Sequence, residues 1–251
     1  MRIVRVRHRG KILWGALKDR RVRLLDAPPW RGIRISRRSV PASQVKILLP
    51  VRPSKIVCAG LNYRDHAAEL GMPVPKEPVI FLKPSTAVIG PEEGIVYPPG
   101  VTRVDYEAEL AVVIGRRARN IREIDAARYI LGYTCANDVT ARHLQRRDGQ
   151  WTRSKSFDTF CPLGPWVETS FSGSPARIVC RVNGRVCQDS STRQFIFSVD
   201  SLVSFVSRVM TLLPGDVVMT GTPGGIGPLE RGDRVEVEIE HIGTLRNYVR
   251  N

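Results

Sequence analysis

The fold class and the chemistry of this chain are both indicated by one stretch, residues 105–114, which has the sequence Asp105-Tyr106-Glu107-Ala108-Glu109-Leu110-Ala111-Val112-Val113-Ile114. In a β-strand, residues two apart share a face, so the three acids of this stretch are expected to project together. Both faces become apolar after Glu109. The pattern therefore predicts a strand that enters the interior and carries its carboxylates to a buried cavity.

The clustered carboxylates Asp105, Glu107 and Glu109 have two interpretations. Acids held together in a medium of low dielectric constant repel one another, and a divalent cation would neutralise them. Oxygen ligands favour the hard ions Mg²⁺, Mn²⁺ and Ca²⁺. Alternatively, the acids lie at a solvent-exposed strand end and form salt bridges with some of the 32 arginines of the chain. This stretch alone leaves both interpretations open.

Asp138 is a further candidate acid. It follows a short strand-like run of small residues and precedes a polar, helical turn that carries Arg142 and Gln145. A carboxylate at a strand end, followed by basic and amide side chains, is typical of a place where a metal and an anionic ligand meet. Asp138 is equally suited to cap the N-terminus of the following helix.

His66 and Glu69 are three residues apart and would share one face of a helical turn. A carboxylate that accepts a hydrogen bond from one imidazole nitrogen raises the basicity of the other, which is the arrangement needed to deprotonate a water molecule. A surface pair without catalytic function is the alternative. The segment from Leu61 to Lys76, which contains Gly71 and two prolines, is predicted to form a mobile lid.

The remaining sequence is rich in strand and turn signals. Residues 2–8 alternate with period two, and Asn183-Gly184 between two apolar runs predicts a hairpin with a type I′ turn. Residues 123–132 predict a helix, and residues 198–216 predict a longer one whose apolar face is formed by Leu202, Phe205, Val206, Val209 and Met210.

These signals predict a mainly β (α+β) fold, a mixed β-roll or sandwich with a few peripheral helices. Residues 1–52 are expected to form a small N-terminal β segment, and residues 53–251 are expected to form the catalytic domain.

Composition excludes several classes of protein. The 251 residues are 42% hydrophobic and 25% charged, which is typical of a globular protein rather than a disordered one. No apolar run reaches the length of a membrane span, and the N-terminus lacks the pattern of a secretory signal. The five cysteines include no CxxC pair and indicate free thiols in a reducing compartment, so a cytoplasmic protein is expected.

The net charge of +15 raises the hypothesis of a basic nucleic-acid-binding module. However, the arginines are spread along the whole chain. The sequence has no basic tail, no zinc-finger spacing and no aromatic-glycine RNA-binding signature. Nucleic acid is therefore not the expected partner, and the module remains the non-enzyme alternative.

Six motifs, in this order, resemble the fumarylacetoacetate hydrolase superfamily across roughly residues 53–251. They are GLNYRDHAAELG (60–71), PVIFLKPSTAVIGP (78–91), DYEAELAVVIG (105–115), GYTCANDVTARHLQ (132–145), QWTRSKSFDTFCPLGPW (150–166) and PGDVVMTGTPGGIG (214–227). The sequence most resembles the branch of acylpyruvate hydrolases, oxaloacetate decarboxylases and 2-hydroxyhepta-2,4-diene-1,7-dioate isomerases.

The resemblance implies a role for nine residues of this chain. They comprise the metal ligands Glu107, Glu109 and Asp138, the catalytic residues His66, Glu69 and Lys155, and the substrate-binding residues Arg142, Gln145 and Thr222. It supports no ligand role for Asp105. The implied cofactor is Mg²⁺ or Mn²⁺, with Ca²⁺ as a further candidate, and the implied assembly is a homodimer.

The implied function is a metal-dependent enzyme that acts on 2-oxo or 2-hydroxy acids and diacids through a metal-bound enolate. Acylpyruvate C–C hydrolysis, oxaloacetate decarboxylation or both are expected, because the His66–Glu69 pair is retained. A 2-hydroxyhepta-2,4-diene-1,7-dioate isomerase, or a 5-oxopent-3-ene-1,2,5-tricarboxylate decarboxylase of aromatic catabolism, is the alternative.

Overall fold

The structure is a computed structural model that describes residues 1–173 and 175–251. Its strands are β1 Arg2–His8, β2 Lys11–Lys18, β3 Arg21–Leu25, β4 Ile35–Pro41, β5 Lys46–Leu48, β6 Lys55–Ala59, β7 Ile80–Pro84, β8 Val88–Ile89, β9 Gly94–Val96, β10 Val104–Tyr106, β11 Ala108–Ile114, β12 Ile130–Asn137, β13 Thr140–Ala141, β14 Cys161–Glu168, β15 Arg177–Val182, β16 Arg185–Ser191, β17 Val217–Met219, β18 Gly227–Leu229, β19 Arg234–Ile239 and β20 Gly243–Arg250. The α-helices are α1 Arg64–Glu69, α2 Arg142–Asp148, α3 Thr152–Lys155 and α4 Val199–Val209.

A twelve-stranded mixed sheet runs through the molecule in the order β4-β3-β2-β1-β14-β12-β11-β17-β6-β7, with β5 added to β1 and β8 added to β14. A five-stranded sheet, β16-β15-β19-β20-β9, and a three-stranded sheet, β13-β10-β18, accompany it. Most neighbouring strands are antiparallel, whereas β17 runs parallel to β6 and β20 runs parallel to β9. This architecture confirms the predicted mainly β fold with a few short helices.

The strand predicted from residues 105–114 is central but interrupted at Glu107, which separates β10 from β11. All seven residues of β11 are buried. Its Leu110 and Val112 belong to a large apolar cluster that also contains side chains of the five-stranded sheet. Its Ala111 and Val113 belong to a second cluster on the other face. The alternation in the sequence therefore predicted both faces correctly.

The N-terminal strands extend the large sheet. β1 is hydrogen-bonded to β14, with Arg2 opposite Glu168 and Ile3 opposite Val167. The sheet thus continues from the N-terminal segment into the rest of the chain, and the boundary near residue 52 stays a prediction.

The helices differ from the sequence expectation. Leu202 and Val206 of α4 are buried, but Val209 is 57% exposed and Val203 is buried instead, so the helix packs with a different face than predicted. The helix predicted over residues 123–132 is a 3₁₀ helix, Glu123–Tyr129, followed directly by β12.

In the described residues, no helix has the length and apolar character to cross a membrane. The predicted hairpin at Asn183-Gly184 is present between β15 and β16.

Candidate metal centre and substrate cavity

Three carboxylates meet where β11 and β12 run side by side. Ala108 lies opposite Asn137 in the antiparallel pair, so Glu107 and Asp138 lie at the same edge of the sheet. The Asp138 amide donates to the Glu107 carbonyl at 2.8 Å, and the Glu107 amide donates to Asn137 Oδ1 at 2.9 Å. These bonds fix the backbone on both sides of the site.

The ligand oxygens of Glu107, Glu109 and Asp138 lie within 4.8 Å of one another, and all three residues are buried. Asp105 is buried as well, so the interpretation of Asp105, Glu107 and Glu109 as a solvent-exposed strand end is wrong, although Asp105 and Glu107 do form ion pairs with arginine. The N-cap interpretation of Asp138 is also wrong, because α2 begins at Arg142 and Ala141 occupies its N-cap position.

Two buried lysines neutralise part of this cluster. Lys155, at the end of α3, donates from Nζ to Glu107 Oε2 at 2.8 Å and to Asp138 Oδ2 at 2.6 Å. Lys83, on β7, forms an ion pair with the other oxygen of Asp138 and is fully buried. Both oxygens of Asp138 thus have a lysine partner.

Arg142 compensates Glu107 from the other side and is itself held in place by Asp105. Its guanidinium pairs with Glu107 Oε1, and its Nε donates to Asp105 Oδ2 at 2.8 Å. Arg103 binds Asp105 Oδ1 at 2.7 Å, and a third nitrogen of Arg142 donates to Gln145. Asp105 therefore orients an arginine and is not part of the metal-competent cluster.

These contacts explain the acid–base behaviour of the cluster. Burial alone would raise the pKa of Glu107, but the charges of Lys155 and Arg142 outweigh it and hold this pKa below its ordinary value. The pKa of Lys155 is raised, because Asp138 and Glu107 outweigh the opposing effect of burial. Glu107 and Lys155 are thus ion-paired at neutral pH.

Glu109 forms no ion pair with any residue that the structure describes. In the described residues its hydrogen bond comes from the Gly221 amide, at 2.7 Å to Oε2. Burial, with the charges of Asp138 and Glu107, raises the pKa of Glu109 well above its ordinary value. Glu109 is thus a buried carboxylate that lies beside two others without a positively charged partner of its own. Mg²⁺ and Mn²⁺ prefer sites in which all protein ligands are oxygen atoms. The three acids could therefore hold a divalent metal ion.

A cavity of about 400 Å³ opens onto this cluster. Its walls combine the charged groups with apolar and aromatic side chains, among them Leu61, Leu70, Met72, Phe81, Trp151 and Ile226. Phe81 and Trp151 pack edge to face with ring centroids 5.2 Å apart, and the ammonium of Lys155 lies 5.2 Å from the Phe81 ring centroid. A concave, mostly apolar pocket with a few convergent polar groups is the usual form of a small-molecule site.

His66 and Glu69 line the same cavity from α1. His66 Nδ1 lies 2.9 Å from Glu69 Oε2; His66 is 5% exposed, whereas the side chain of Glu69 is 37% exposed. Glu69 Oε1 accepts a hydrogen bond from the Gly225 amide at 3.0 Å. The carboxylate is thus held between the histidine and the glycine-rich loop, and the mobility of the predicted lid stays a prediction.

The cavity collects most of the residues singled out in the sequence. It is lined by His66, Glu69, Glu107, Asp138, Arg142, Gln145 and Lys155. Glu109 and Thr222 are not part of its wall. Thr222 is 4% exposed, and its hydroxyl accepts a hydrogen bond from Gln188 Nε2 at 2.9 Å, so a direct contact with substrate stays a prediction.

Sequence reasoning missed Lys83 as a member of the site. A lysine inside the apolar run Val79-Ile80-Phe81-Leu82-Lys83 is the signal that could have found it, because a cation is rarely buried without a partner. Arg103, which pairs with Asp105, was also missed, and its sequence context contains no comparable signal.

The fold and the site define a class of mainly β proteins in which three buried carboxylates could hold a metal ion next to a hydrogen-bonded His–Glu pair. The family model described as fumarylacetoacetate (FAA) hydrolase C-terminal matches residues 55–250, and the model described as Rv2993c-like, N-terminal, matches residues 1–50. The chain belongs to the fumarylacetoacetate hydrolase family.

Several known proteins are similar to this chain, and two of the three described next carry enzyme names. An uncharacterised protein of Archaeoglobus fulgidus is 62% identical over 208 residues, 83% of each chain. The mitochondrial oxaloacetate tautomerase FAHD2A of Bos taurus is 47% identical over 223 residues, which cover 84% of this chain and 71% of that protein. The crystal structure of 5-carboxymethyl-2-hydroxymuconate delta-isomerase from Mycobacterium smegmatis matches with a TM-score of 0.94 and 42% identity, over 100% of this chain and 99% of that one.

Proposed function

We propose that this protein is a divalent-metal-dependent enzyme that interconverts the keto and enol forms of a 2-oxo dicarboxylic acid, with oxaloacetate as the first candidate. The observation that carries the proposal is the pairing of the buried His66 with the more exposed Glu69 on the wall of the cavity that Glu107 and Asp138 also line. A proton-transfer group and a metal-competent cluster therefore face one substrate-sized space.

The reaction class is supported by the two named relatives. One is named a tautomerase and the other a delta-isomerase, and both names describe the movement of a proton without a change in the carbon skeleton. The fit of the acidic triad to Mg²⁺ or Mn²⁺ supports the cofactor. Such an ion, held by Glu107, Glu109 and Asp138, would supply Lewis-acid polarisation of the 2-oxo group.

His66 is the group that moves the proton. Glu69 accepts a hydrogen bond from Nδ1, which leaves Nε2 free to act as a base. In the keto-to-enol direction, Nε2 takes a proton from the carbon next to the 2-oxo group, and a proton is delivered to the 2-oxo oxygen to complete the enol. In the reverse direction, the imidazolium returns a proton to that carbon, and Glu69 stabilises its charge.

Cationic side chains bind and orient the substrate. The ammonium of Lys155 adds positive charge beside Glu107 and Asp138. Arg142 and Gln145 would contact the carboxylate next to the 2-oxo group. Arg146 also lines the cavity, and it forms no ion pair with any residue that the structure describes, so it is available for the distal carboxylate of a diacid.

A second candidate is cleavage of the substrate, by acylpyruvate C–C hydrolysis or oxaloacetate decarboxylation. The same His66–Glu69 geometry favours hydrolysis, because a base held by a carboxylate can activate a water molecule. Decarboxylation requires a β-carboxylate on the substrate and no water.

A substrate panel with Mn²⁺ or Mg²⁺ separates these candidates. The rate of enol loss from oxaloacetate, pyruvate release and acylpyruvate cleavage are measured on the same preparation. Tautomerisation changes the enol absorbance without releasing pyruvate. Pyruvate release at a rate equal to enol loss would instead establish cleavage as the main activity.

Two pairs of variants test the assigned roles. His66→Gln should lower kcat by about 10²–10⁴-fold, the usual contribution of general acid–base catalysis, whereas the exposed His241→Gln should not. Arg146→Gln should raise KM for a diacid by about tenfold and leave KM for a monoacid unchanged, with Arg147→Gln as its control. An unchanged kcat in His66→Gln would refute the proton-transfer role.

A further inference from the structure

A second cavity, of about 550 Å³, lies where the N-terminal strands meet the rest of the molecule. Side chains of β1, of the segment after β5 and of the 3₁₀ helix Ser85–Ala87 line it. It shares no lining residue with the substrate cavity. Three arginines face it: Arg5, Arg7 and Arg52.

The strand pattern explains why two of these arginines point the same way. Arg5 and Arg7 are two residues apart on β1 and therefore share a face. Val4 and Val6 occupy the opposite face and pack in an apolar cluster of the N-terminal strands. The N-terminal sheet thus has one apolar face and one face that presents guanidinium groups to the cavity.

The arginines of this cavity have no counter-ion of their own. None of the three forms an ion pair within residues 1–173 and 175–251. Arg5 is only 8% exposed, and its one described side-chain hydrogen bond goes to the Leu49 carbonyl at 3.3 Å. Burial, with the charges of Arg52 and Arg7, lowers the pKa of Arg5. A buried cation without a partner is costly, and an anion would relieve that cost.

The one carboxylate on the cavity wall does not provide this anion. Glu93 accepts a hydrogen bond from the Gly90 amide at 2.7 Å through Oε2 and pairs with none of the arginines. By contrast, Ser85 and Thr86 are exposed on the wall and add two hydroxyl donors. Several guanidinium forks with nearby hydroxyls supply more donors than the two oxygens of one carboxylate can use, and a phosphate group has enough oxygens to accept from several of them.

We propose that this cavity is a binding site for the phosphate group of a small metabolite, held by Arg5, Arg7 and Arg52 with the hydroxyls of Ser85 and Thr86. Its volume suits a small molecule rather than a polymer. The site is separate from the proposed catalytic cavity and does not depend on the proposed function.

Binding of inorganic phosphate to the whole protein, measured by calorimetry and by Tm at constant ionic strength, tests this site. At a tenfold excess of phosphate over Kd, Tm should rise by about 3–6 °C relative to chloride. Arg7→Gln and Arg52→Gln, which both replace exposed arginines, should each weaken phosphate binding by about 10–100-fold and leave kcat unchanged. Arg37→Gln, an exposed arginine of β4 outside both cavities, removes the same charge and should bind phosphate normally.

Three results would overturn the proposal. The first is an equal rise in Tm with chloride and phosphate, which would indicate general screening of the +15 charge. The second is loss of phosphate binding in Arg146→Gln but not in Arg7→Gln, which would place the anion in the substrate cavity. The third is absence of phosphate binding. If the wild-type protein is then a dimer and Arg7→Gln is a monomer, this face would be assigned to a second copy of the chain.

Discussion

Two cavities of this protein are lined by charged side chains, and they differ in how the charges are balanced. In the carboxylate cluster at the substrate cavity, Glu107 and Asp138 are each bound by two cationic groups, whereas Glu109, behind the cavity wall, forms no ion pair with a residue that the structure describes. In the N-terminal cavity, Arg5, Arg7 and Arg52 lie together without any ion pair in the described residues.

This difference shows what each cavity lacks. The carboxylate cluster beside the substrate cavity has its own counter-ions except at Glu109, where a divalent cation fits. In the N-terminal cavity the three arginines outnumber the one carboxylate, Glu93, which pairs with none of them, so an anion fits there. Breaking a compensated buried pair leaves one uncompensated charge, whereas removing an uncompensated charge removes a cost. Substitutions should therefore lower stability where they break a compensated pair, and should not lower it much where they remove an uncompensated charge.

The largest effect is expected for Lys83→Met. Lys83 is fully buried and pairs with Asp138, so its loss leaves one oxygen of that carboxylate without a counter-charge. The free energy of unfolding, measured by urea denaturation without added metal, should fall by about 3–5 kcal/mol. Lys18→Met makes the same change at an exposed site and should alter stability by less than about 0.5 kcal/mol. Equal stability of the two variants would show that the pair is not required.

A smaller effect, opposite in sign, is expected for Glu109→Gln. The amide keeps an oxygen for the Gly221 amide and cannot ionise, so it removes the cost that burial and the neighbouring carboxylates place on ionised Glu109, the same cost that raises the pKa of this group. Without metal, the free energy of unfolding should rise by about 1 kcal/mol. In addition, Mn²⁺ should raise the Tm of the wild-type protein but not that of Glu109→Gln.

The exposed Glu230→Gln is the matched control for this experiment. It should retain the full rise in Tm with Mn²⁺. An undiminished Mn²⁺ response in Glu109→Gln would exclude Glu109 as a ligand, and the same Tm measurement with Mn²⁺ should then be made on variants of Glu107 and Asp138.

The smallest effect is expected for Arg5→Met. Arg5 is nearly as buried as Lys83, but it has no carboxylate partner to leave behind. In phosphate-free buffer the free energy of unfolding should change by no more than about 1 kcal/mol, while the phosphate-dependent rise in Tm should disappear. A loss as large as that of Lys83→Met would mean that an unrecognised interaction compensates Arg5.

Much of the fold could be predicted from local patterns. The alternation along β11 correctly assigned Leu110 and Val112 to one apolar cluster and Ala111 to the other. The Asn183-Gly184 turn correctly placed a hairpin. The prediction of the buried face of α4 was wrong, because Val203 is buried and Val209, which was expected to be buried, is exposed. A helix near a sheet is rotated by its tertiary contacts, and the apolar stripe of α4 is broad enough to allow either face.

The candidate site was predicted in part. The spacing of Glu107 and Glu109 on one strand and the position of Asp138 after the next indicated a shared carboxylate cluster, and the structure brings the three together. The role of Asp105 as the partner of Arg142 and the presence of Lys83 were not foreseen. The predicted homodimer and the metal preference stay predictions.

The sequence by itself determined which side chains share a face of a strand or a turn, because that depends on a backbone repeat of two or about four residues. It therefore indicated that Glu107 and Glu109 share a face, that His66 and Glu69 share one side of a helical turn, and that Arg5 and Arg7 lie on one face of β1. Only the tertiary structure decided which charges are compensated. Lys83 meets Asp138 across 55 residues of chain, and Arg5 meets no acid at all in the described residues, because charge pairing depends on distance in space and not on spacing along the chain.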